Sequence, residues 1–201
     1  MIGAHPGGTA LTRRLLELAA AKPPARILDL GAGAGESVDF LRQQGFEADG
    51  IDRTAFLPRG KVMAGDMRAL SFPDASYDLC MAECSISVCG DGPAALREIF
   101  RVLGPGGSLL LSDVFFKKEE APCLSMPEPL TLRCWERESI RAGFIIRAVR
   151  DESPLWREFF IRSLWNDNAD GAFCEFFREA GKAGCGYFLA WLEKGGGNGS
   201  V

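Results

Sequence analysis

ILDLGAGAGESVDFL, Ile27 to Leu41, is the stretch whose interpretation decides the fold of this chain. RILDL is a short apolar run of strand type, GAGAG a glycine turn, and ESVDFLRQQ a helical pattern with Gly45 at its carboxyl end. A glycine-rich bend between a strand and a helix offers backbone amides and a helix N-terminus to a ligand, as the dinucleotide fingerprint does. Asp52, 21 residues after Gly31, stands where that fingerprint places an acid for a ribose hydroxyl. One position departs from it: Glu36 replaces the last glycine of G-x-G-x-x-G. Asp29 precedes the turn, and no Lys or Arg falls within the fifteen residues.

Working outward, the strand-helix alternation repeats. TALTRRLLELAAA, from Thr9 to Ala21, carries Leu11, Leu15 and Leu18 at helical spacing, with Thr9 as its cap and Pro23-Pro24 as its stop. FEADGID and VMAG are further strands, and YDLCMA is a continuous apolar run, as expected of a strand covered on both faces. Pro93 opens a helix with Leu96, Ile99, Phe100 and Leu103 in phase, and Gly104-Pro105-Gly106-Gly107 turns it into the strand SLLLSDVFF. The order predicts an α/β fold, doubly wound and Rossmann-like, with a mostly parallel sheet and helices on both faces.

The second half is less regular. KKEEAPCLSMPEPLTL reads as a long loop, assigned as a lid over residues 116–133. CWERESIRAG is a helix closed by Gly143, and FIIRAVRDES and GYFLAWLEK are strands. Trp156, Phe159, Phe160 and Leu164 form one aromatic stripe; Phe173, Phe176, Phe177 and Ala180 form another. With Trp135 and Trp165 they suggest a helical cover, 153–181, or the surface of a homodimer. The expectation is a single domain, 1–194, with an N-terminal helical cap, 1–22, and a disordered tail, 195–201.

Composition narrows the partners. The 201 residues carry a net charge of -4, which argues against nucleic acid, and no apolar run is long enough for a membrane span. The start lacks the pattern of a secretory signal, and seven cysteines without a CxxC pair make a poor disulfide or zinc framework. A reduced, cytoplasmic protein with no bound metal is expected.

The acids around the glycines set the sign of the ligand. Carboxylates at Asp29 and Glu36 repel a diphosphate and attract a cation. S-adenosylmethionine, with a sulfonium and an ammonium group, meets that requirement. The chain resembles class I S-adenosylmethionine-dependent methyltransferases, especially the quinone-biosynthesis and arsenite group. The resemblance is carried by LDLGAGAGES, the acid of GID, GDMRALSFPDASYDLCMAE and LREIFRVLGPGGSLLLSD, in family order across roughly residues 25 to 115. It implies a seven-stranded sheet whose last strand, GYFLAWLEK, pairs antiparallel at the sheet edge.

The same resemblance implies roles for individual residues. Asp29, Gly31, Ala32 and Gly33 would shape the pocket for the methionine end. Asp52 would bind the ribose hydroxyls, Arg53 would flank the adenine, Asp66 would accept from its amino group, and Met67 would pack beside the ring. Glu83 and Cys84 fall where the methyl group meets its acceptor, and Glu83 also borders the cofactor.

The acceptor side is less specific. His5, the sole histidine, sits in AHPGG, which with the first helix would fold over the site. Glu83, His5 and Cys84 are therefore the catalytic candidates. Cys84 and Cys89, with Cys123 and Cys134 in neighbouring loops, would suit a metalloid or thiol acceptor; a quinone-like ring is the other acceptor considered. Two alternatives stand beside a small-molecule methyltransferase: an NAD-dependent oxidoreductase, and a non-catalytic S-adenosylmethionine-binding protein.

Overall fold

Each expected strand forms, and the glycine stretch opens at the middle of the sheet. The computed structural model describes residues 5–54, 62–165 and 180–196. In chain order the elements are α1 (Gly8–Leu18), β1 (Arg26–Leu30), α2 (Glu36–Gln43), β2 (Glu47–Asp52), β3 (Val62–Ala64) and β4 (Tyr77–Glu83). They continue with α3 (Gly92–Val102), β5 (Leu103–Phe116), α4 (Leu132–Arg141), β6 (Phe144–Asp151), α5 (Ser153–Trp165) and β7 (Cys185–Lys194). The side chains of Phe160, Leu164 and Trp165, all of Phe173, Phe176 and Phe177, and most of the glycine tail lie outside the described residues.

The sheet order among the described residues is β3-β2-β1-β4-β5-β7-β6. β1 pairs in parallel with β2 on one side and β4 on the other, and β4 pairs in parallel with β5. β7 runs antiparallel to both β5 and β6. The last strand is thus antiparallel, as expected, but it lies inside the sheet; β6 takes the edge. The burial of β7 explains this, since Tyr187, Phe188, Leu189, Ala190 and Leu192 are all shielded, as two covered faces require.

Local signals account for the starts of two helices, α3 and α4. Pro93 lies in the first turn of α3, where its missing N–H costs nothing, and the Asp91 carboxylate accepts from Ala94 N at 2.9 Å. The Thr131 hydroxyl accepts from Cys134 N at the start of α4. Thr9 is not the cap of α1. Gly7, in a left-handed conformation, takes that place, and Thr9 lies within the helix. The segment 104–107 is not a separate turn either. It belongs to β5, whose ladder with β4 shifts register between Tyr77 and Leu79.

The loop after β5 is tied down. Phe116 N donates to Leu130 O at 2.8 Å, Gly92 N to Ser125 O at 2.7 Å, and Gly90 N to Ser125 Oγ at 2.8 Å. Met126 and Leu130 of this loop are buried.

Close packing of α2 on the sheet places the glycine turn. Gly50 of β2 lies against Val38 and Ala32, and a Cβ there would meet Val38 Cγ2 at 2.7 Å and Ala32 Cβ at 2.9 Å. Gly50→Val is therefore expected to destabilise the fold by about 1–3 kcal/mol through overpacking, read from urea unfolding midpoints. An unchanged midpoint would show that α2 can move off the sheet freely.

Candidate active site

The carboxyl ends of three neighbouring strands bring the sequence-expected residues together. Asp29 lies at the end of β1, Asp52 at the end of β2, and Glu83 with Cys84 at the end of β4. The turn between β1 and α2 is held by its own amides: Gly31 N and Ala32 N both donate to Ile51 O, at 2.9 and 3.0 Å. Gly33 N donates to Asp52 Oδ2 at 2.9 Å, and Thr54 N to Asp52 Oδ1 at 2.7 Å, so this acid fixes the bend and aims its remaining lone pairs outward. Gly31 has φ +79°, and a Cβ there would lie 2.5 Å from Ser85 Cβ. Only glycine allows the ends of β1 and β4 to approach so closely.

Two cavities meet at this point. One, of about 230 Å³, is lined by Gly31, Asp52, Arg53, Met67, Cys84 and Ser85, among others. The second, of about 250 Å³, includes His5, Asp29, Ala32, Glu36, Glu83 and Cys84 in its walls. Gly31 and Cys84 belong to both. Cys84 has a left-handed backbone, φ +53°, a conformation that costs a non-glycine residue energy and recurs at functional sites.

The second cavity is lined by acids. Asp29 is 3% exposed and, among the described residues, its Oδ2 finds no hydrogen-bond donor. Burial, with Glu83 and then Asp52 nearby, pushes its carboxyl well above the usual range. Ser85 Oγ, in the wall of the first cavity, is likewise buried without a partner among the described residues. Glu83 is held from two sides: Thr12 Oγ1 donates to Oε2 at 3.0 Å, and Ser37 Oγ donates to the same oxygen at 3.1 Å. These hydroxyls favour the carboxylate, but burial outweighs them and the group is pushed up to about 7. His5 Nε2 lies 3.4 Å from Glu83 Oε2, and burial lowers its pKa, which favours the neutral ring.

Other expected residues are placed differently. Arg53 donates through Nη1 to Cys89 O and through Nη2 to Val88 O, both at 3.1 Å, and so braces the wall of the first cavity. Gly65 and Met67 line that cavity. The carboxylate of Asp66, between them, takes a bidentate pair with Arg68, with Oδ2 to Nη2 at 2.6 Å, and this holds it down to about 2. Cys84 and Cys89 both line the first cavity, whereas Cys134 is buried elsewhere and Cys123 is exposed. Burial raises the thiols of Cys84 and Cys89, Cys84 strongly, so neither stands as a thiolate at neutral pH. Among the described residues no cluster of three His, Cys, Asp or Glu could hold a metal ion, and no helix is long and apolar enough to cross a membrane.

Several site residues escape sequence reasoning. Tyr187 contacts Cys84 Sγ at 3.1 Å through its hydroxyl, which also donates to Ser112 Oγ at 2.9 Å, and Trp156 stacks on its ring at 6.1 Å. No linear pattern connects Tyr187 to Cys84, 103 residues away. Thr12 and Ser37 look like ordinary helix-face residues until Glu83 is placed between them.

The strand order, with the antiparallel strand β7 between β5 and β6, is that of a Rossmann-like sheet. Geranyl diphosphate methyltransferase in complex with SAM superposes with a TM-score of 0.77 at 16% identity, over 92% of this chain and 85% of that one. Residues 28–111 match the family model described as a methyltransferase domain. A malonyl-[acyl-carrier protein] O-methyltransferase of Serratia marcescens is 30% identical over 122 residues, 55% of this chain and 48% of the relative. A demethylmenaquinone methyltransferase of Thermus thermophilus is 34% identical over 113 residues, 49% of this chain and 51% of the relative. The chain spans about half the length of these curated relatives.

Two outcomes are expected. Gly31→Ala, which combines a left-handed φ with a clash against Ser85, should cost about 2 kcal/mol more than Gly33→Ala, where a Cβ meets nothing within 4 Å. Equal unfolding midpoints for the two variants would contradict the Gly31–Ser85 contact. The second concerns pH. Glu83 has its carboxyl at about 7 in the folded chain against an ordinary 4.5, so between these values the folded state keeps a proton that the unfolded state has lost. Stability should therefore fall as pH rises through that window, by up to about 3 kcal/mol. Glu83→Gln should flatten the slope of denaturation midpoint against pH from 5 to 7.5. Burial raises Asp113 to about 6 with the same sign, and its contribution should remain.

Proposed function

We propose that this chain is an S-adenosylmethionine-dependent methyltransferase acting on an organic small molecule. The observation that carries the proposal is a pair of buried polar atoms without a partner among the described residues, Asp29 Oδ2 and Ser85 Oγ, whose residues line the two cavities beside Gly31. A buried carboxylate without a donor is costly, and a cationic ligand offsets that cost directly. The residues present fit this donor: acids line the cavity where an ammonium and a sulfonium would lie, and Asp52 and Met67 line the one that would take adenosine. Asp29, Gly31, Ala32, Gly33 and Glu83 would hold the methionine end, Asp52 the ribose, and Arg53, Asp66 and Met67 the adenine side. Bound there, the donor supplies an electrophilic methyl group on sulfur.

The chain's own residues would then align the acceptor and take up a proton where the acceptor loses one. His5 Nε2 would receive that proton, and Glu83 Oε2, 3.4 Å away, would offset the imidazolium charge. Cys84 would give shape to the wall shared by the two cavities; its protonated thiol makes it a poor ligand for a metalloid. That favours the organic acceptors, a carbon or oxygen nucleophile, over the soft one. The named relatives, a malonyl-[acyl-carrier protein] O-methyltransferase and a demethylmenaquinone methyltransferase, support the same choice.

Calorimetry of S-adenosylmethionine, S-adenosylhomocysteine and NADH tests the proposal. The first two should bind, Asp29→Asn should weaken both at least tenfold, and NADH should show no heat. Affinity should rise with pH between 6 and 8, because Glu83 must lose its proton to face the ammonium group, with proton uptake by the buffer accompanying binding. Tight NADH binding with none for the sulfonium would overturn the assignment.

A further inference from the structure

The segment that leaves β4 supplies Ser85, Val88 and Cys89 to the wall of the first cavity. Its only regular structure is a single 3-10 turn, Ile86–Val88, which is too short to fix its own place. Its position is set by partners far along the chain.

Ser87, at the centre of the turn, is buried and has both main-chain groups taken. Its N–H donates to Asp113 Oδ2 of β5 at 3.0 Å. Its carbonyl accepts from Ser125 Oγ at 2.8 Å and from Ser125 N at 3.2 Å. Ser125 reaches further along the same segment: its Oγ accepts from Gly90 N at 2.8 Å and its carbonyl accepts from Gly92 N at 2.7 Å. One loop residue therefore spans 87–92, and its hydroxyl uses both its donor and an acceptor lone pair to do so. On the other side Arg53 holds the carbonyls of Val88 and Cys89.

The loop presents Ser125 firmly. Met126 N donates to Cys123 O at 2.9 Å and Leu130 N to Pro122 O at 3.1 Å, and the Met126 side chain packs against Gly92, where a Cβ would lie 2.7 Å from its sulfur. Ser125 is itself buried and is not among the residues that line either glycine-turn cavity. We propose, resting on the donor reading above, that Ser125 is a positioning residue for S-adenosylmethionine: from outside the cavity its hydroxyl fixes the 85–90 wall against which the adenosine end is held. Removing that hydroxyl leaves Ser87 O with the Ser125 amide but takes away the acceptor of Gly90 N. A binding wall is only as exact as the contacts behind it, so the loosened segment costs the donor affinity.

The test is calorimetric titration of S-adenosylhomocysteine and 5′-methylthioadenosine into the full chain. Ser125→Ala should weaken both by about fivefold or more, the weight of one ordinary hydrogen bond, and by equal factors because both carry the adenosine. Phe144→Leu, in the buried part of the edge strand, serves as a stability control: it should lower the urea midpoint and leave both affinities unchanged. Coupling is reciprocal, so saturation with S-adenosylhomocysteine should slow amide hydrogen exchange over residues 122–126 in the unmodified chain and leave it unchanged in Ser125→Ala. Affinities of Ser125→Ala within twofold of the unmodified chain, a loss confined to one ligand, equal weakening by Phe144→Leu, or exchange over 122–126 indifferent to ligand in the unmodified chain would each overturn the inference. Failure of S-adenosylhomocysteine to bind the unmodified chain would defeat the donor assignment instead.

Discussion

A buried carboxyl group, one of whose oxygens finds no donor among the described residues, lies at the end of β1 and is the constraint around which this side of the sheet is arranged. Asp29 has lost water and gained only the proximity of other acids, Glu83 and Asp52. Such a group survives folding because the strands that carry it are anchored elsewhere, in the apolar layer of β1, β4 and β5, where Leu28, Leu30, Met81 and Leu110 are fully shielded. A buried acid of this kind is better accommodated beside a positive charge than alone.

The approach of β1 and β4 at Gly31 and Ser85 extends the same constraint. It leaves two cavities divided by one residue's backbone and the Cys84 side chain. The wall is stiffened from behind. Asp113, fully buried, accepts from Ser87 N at 3.0 Å and Val114 N at 2.8 Å, and Tyr187 bridges Cys84 to Ser112. From the other direction α1 delivers Thr12 and the preceding His5 onto Glu83, and Gly7 leaves room for Leu155 of α5. A site assembled from α1, β1, β2, β4 and β7 is thus held largely by contacts between elements distant in the chain.

Much of the frame was legible in linear form. Alternation of apolar runs with helical patterns gave the strand and helix order, and Pro93 marked the start of α3 because that signal acts within one turn. The placement of β7 was not legible, since strand order depends on which surfaces remain open after the parallel strands have packed. Thr9 illustrates the same limit. A hydroxyl at a helix start suggests a cap, but Gly7 adopted the left-handed bend and carried the helix boundary past it. Asp66 is a further example. Its motif was recognisable, whereas the Arg68 that claims both its oxygens announced nothing by spacing alone.

What the sequence by itself determined was the sign of the charge around the glycine turn. Asp29 and Glu36 flank the glycines within one strand-turn-helix, so their placement follows from covalent neighbourhood. What only the tertiary structure decided was how strongly these acids are buried and their proton chemistry. Burial, the hydroxyls of Thr12 and Ser37, and the His5 ring around Glu83 come from different parts of the chain. A carboxyl's pKa depends on the water and dipoles within a few ångströms, and those are fixed only when the chain has folded.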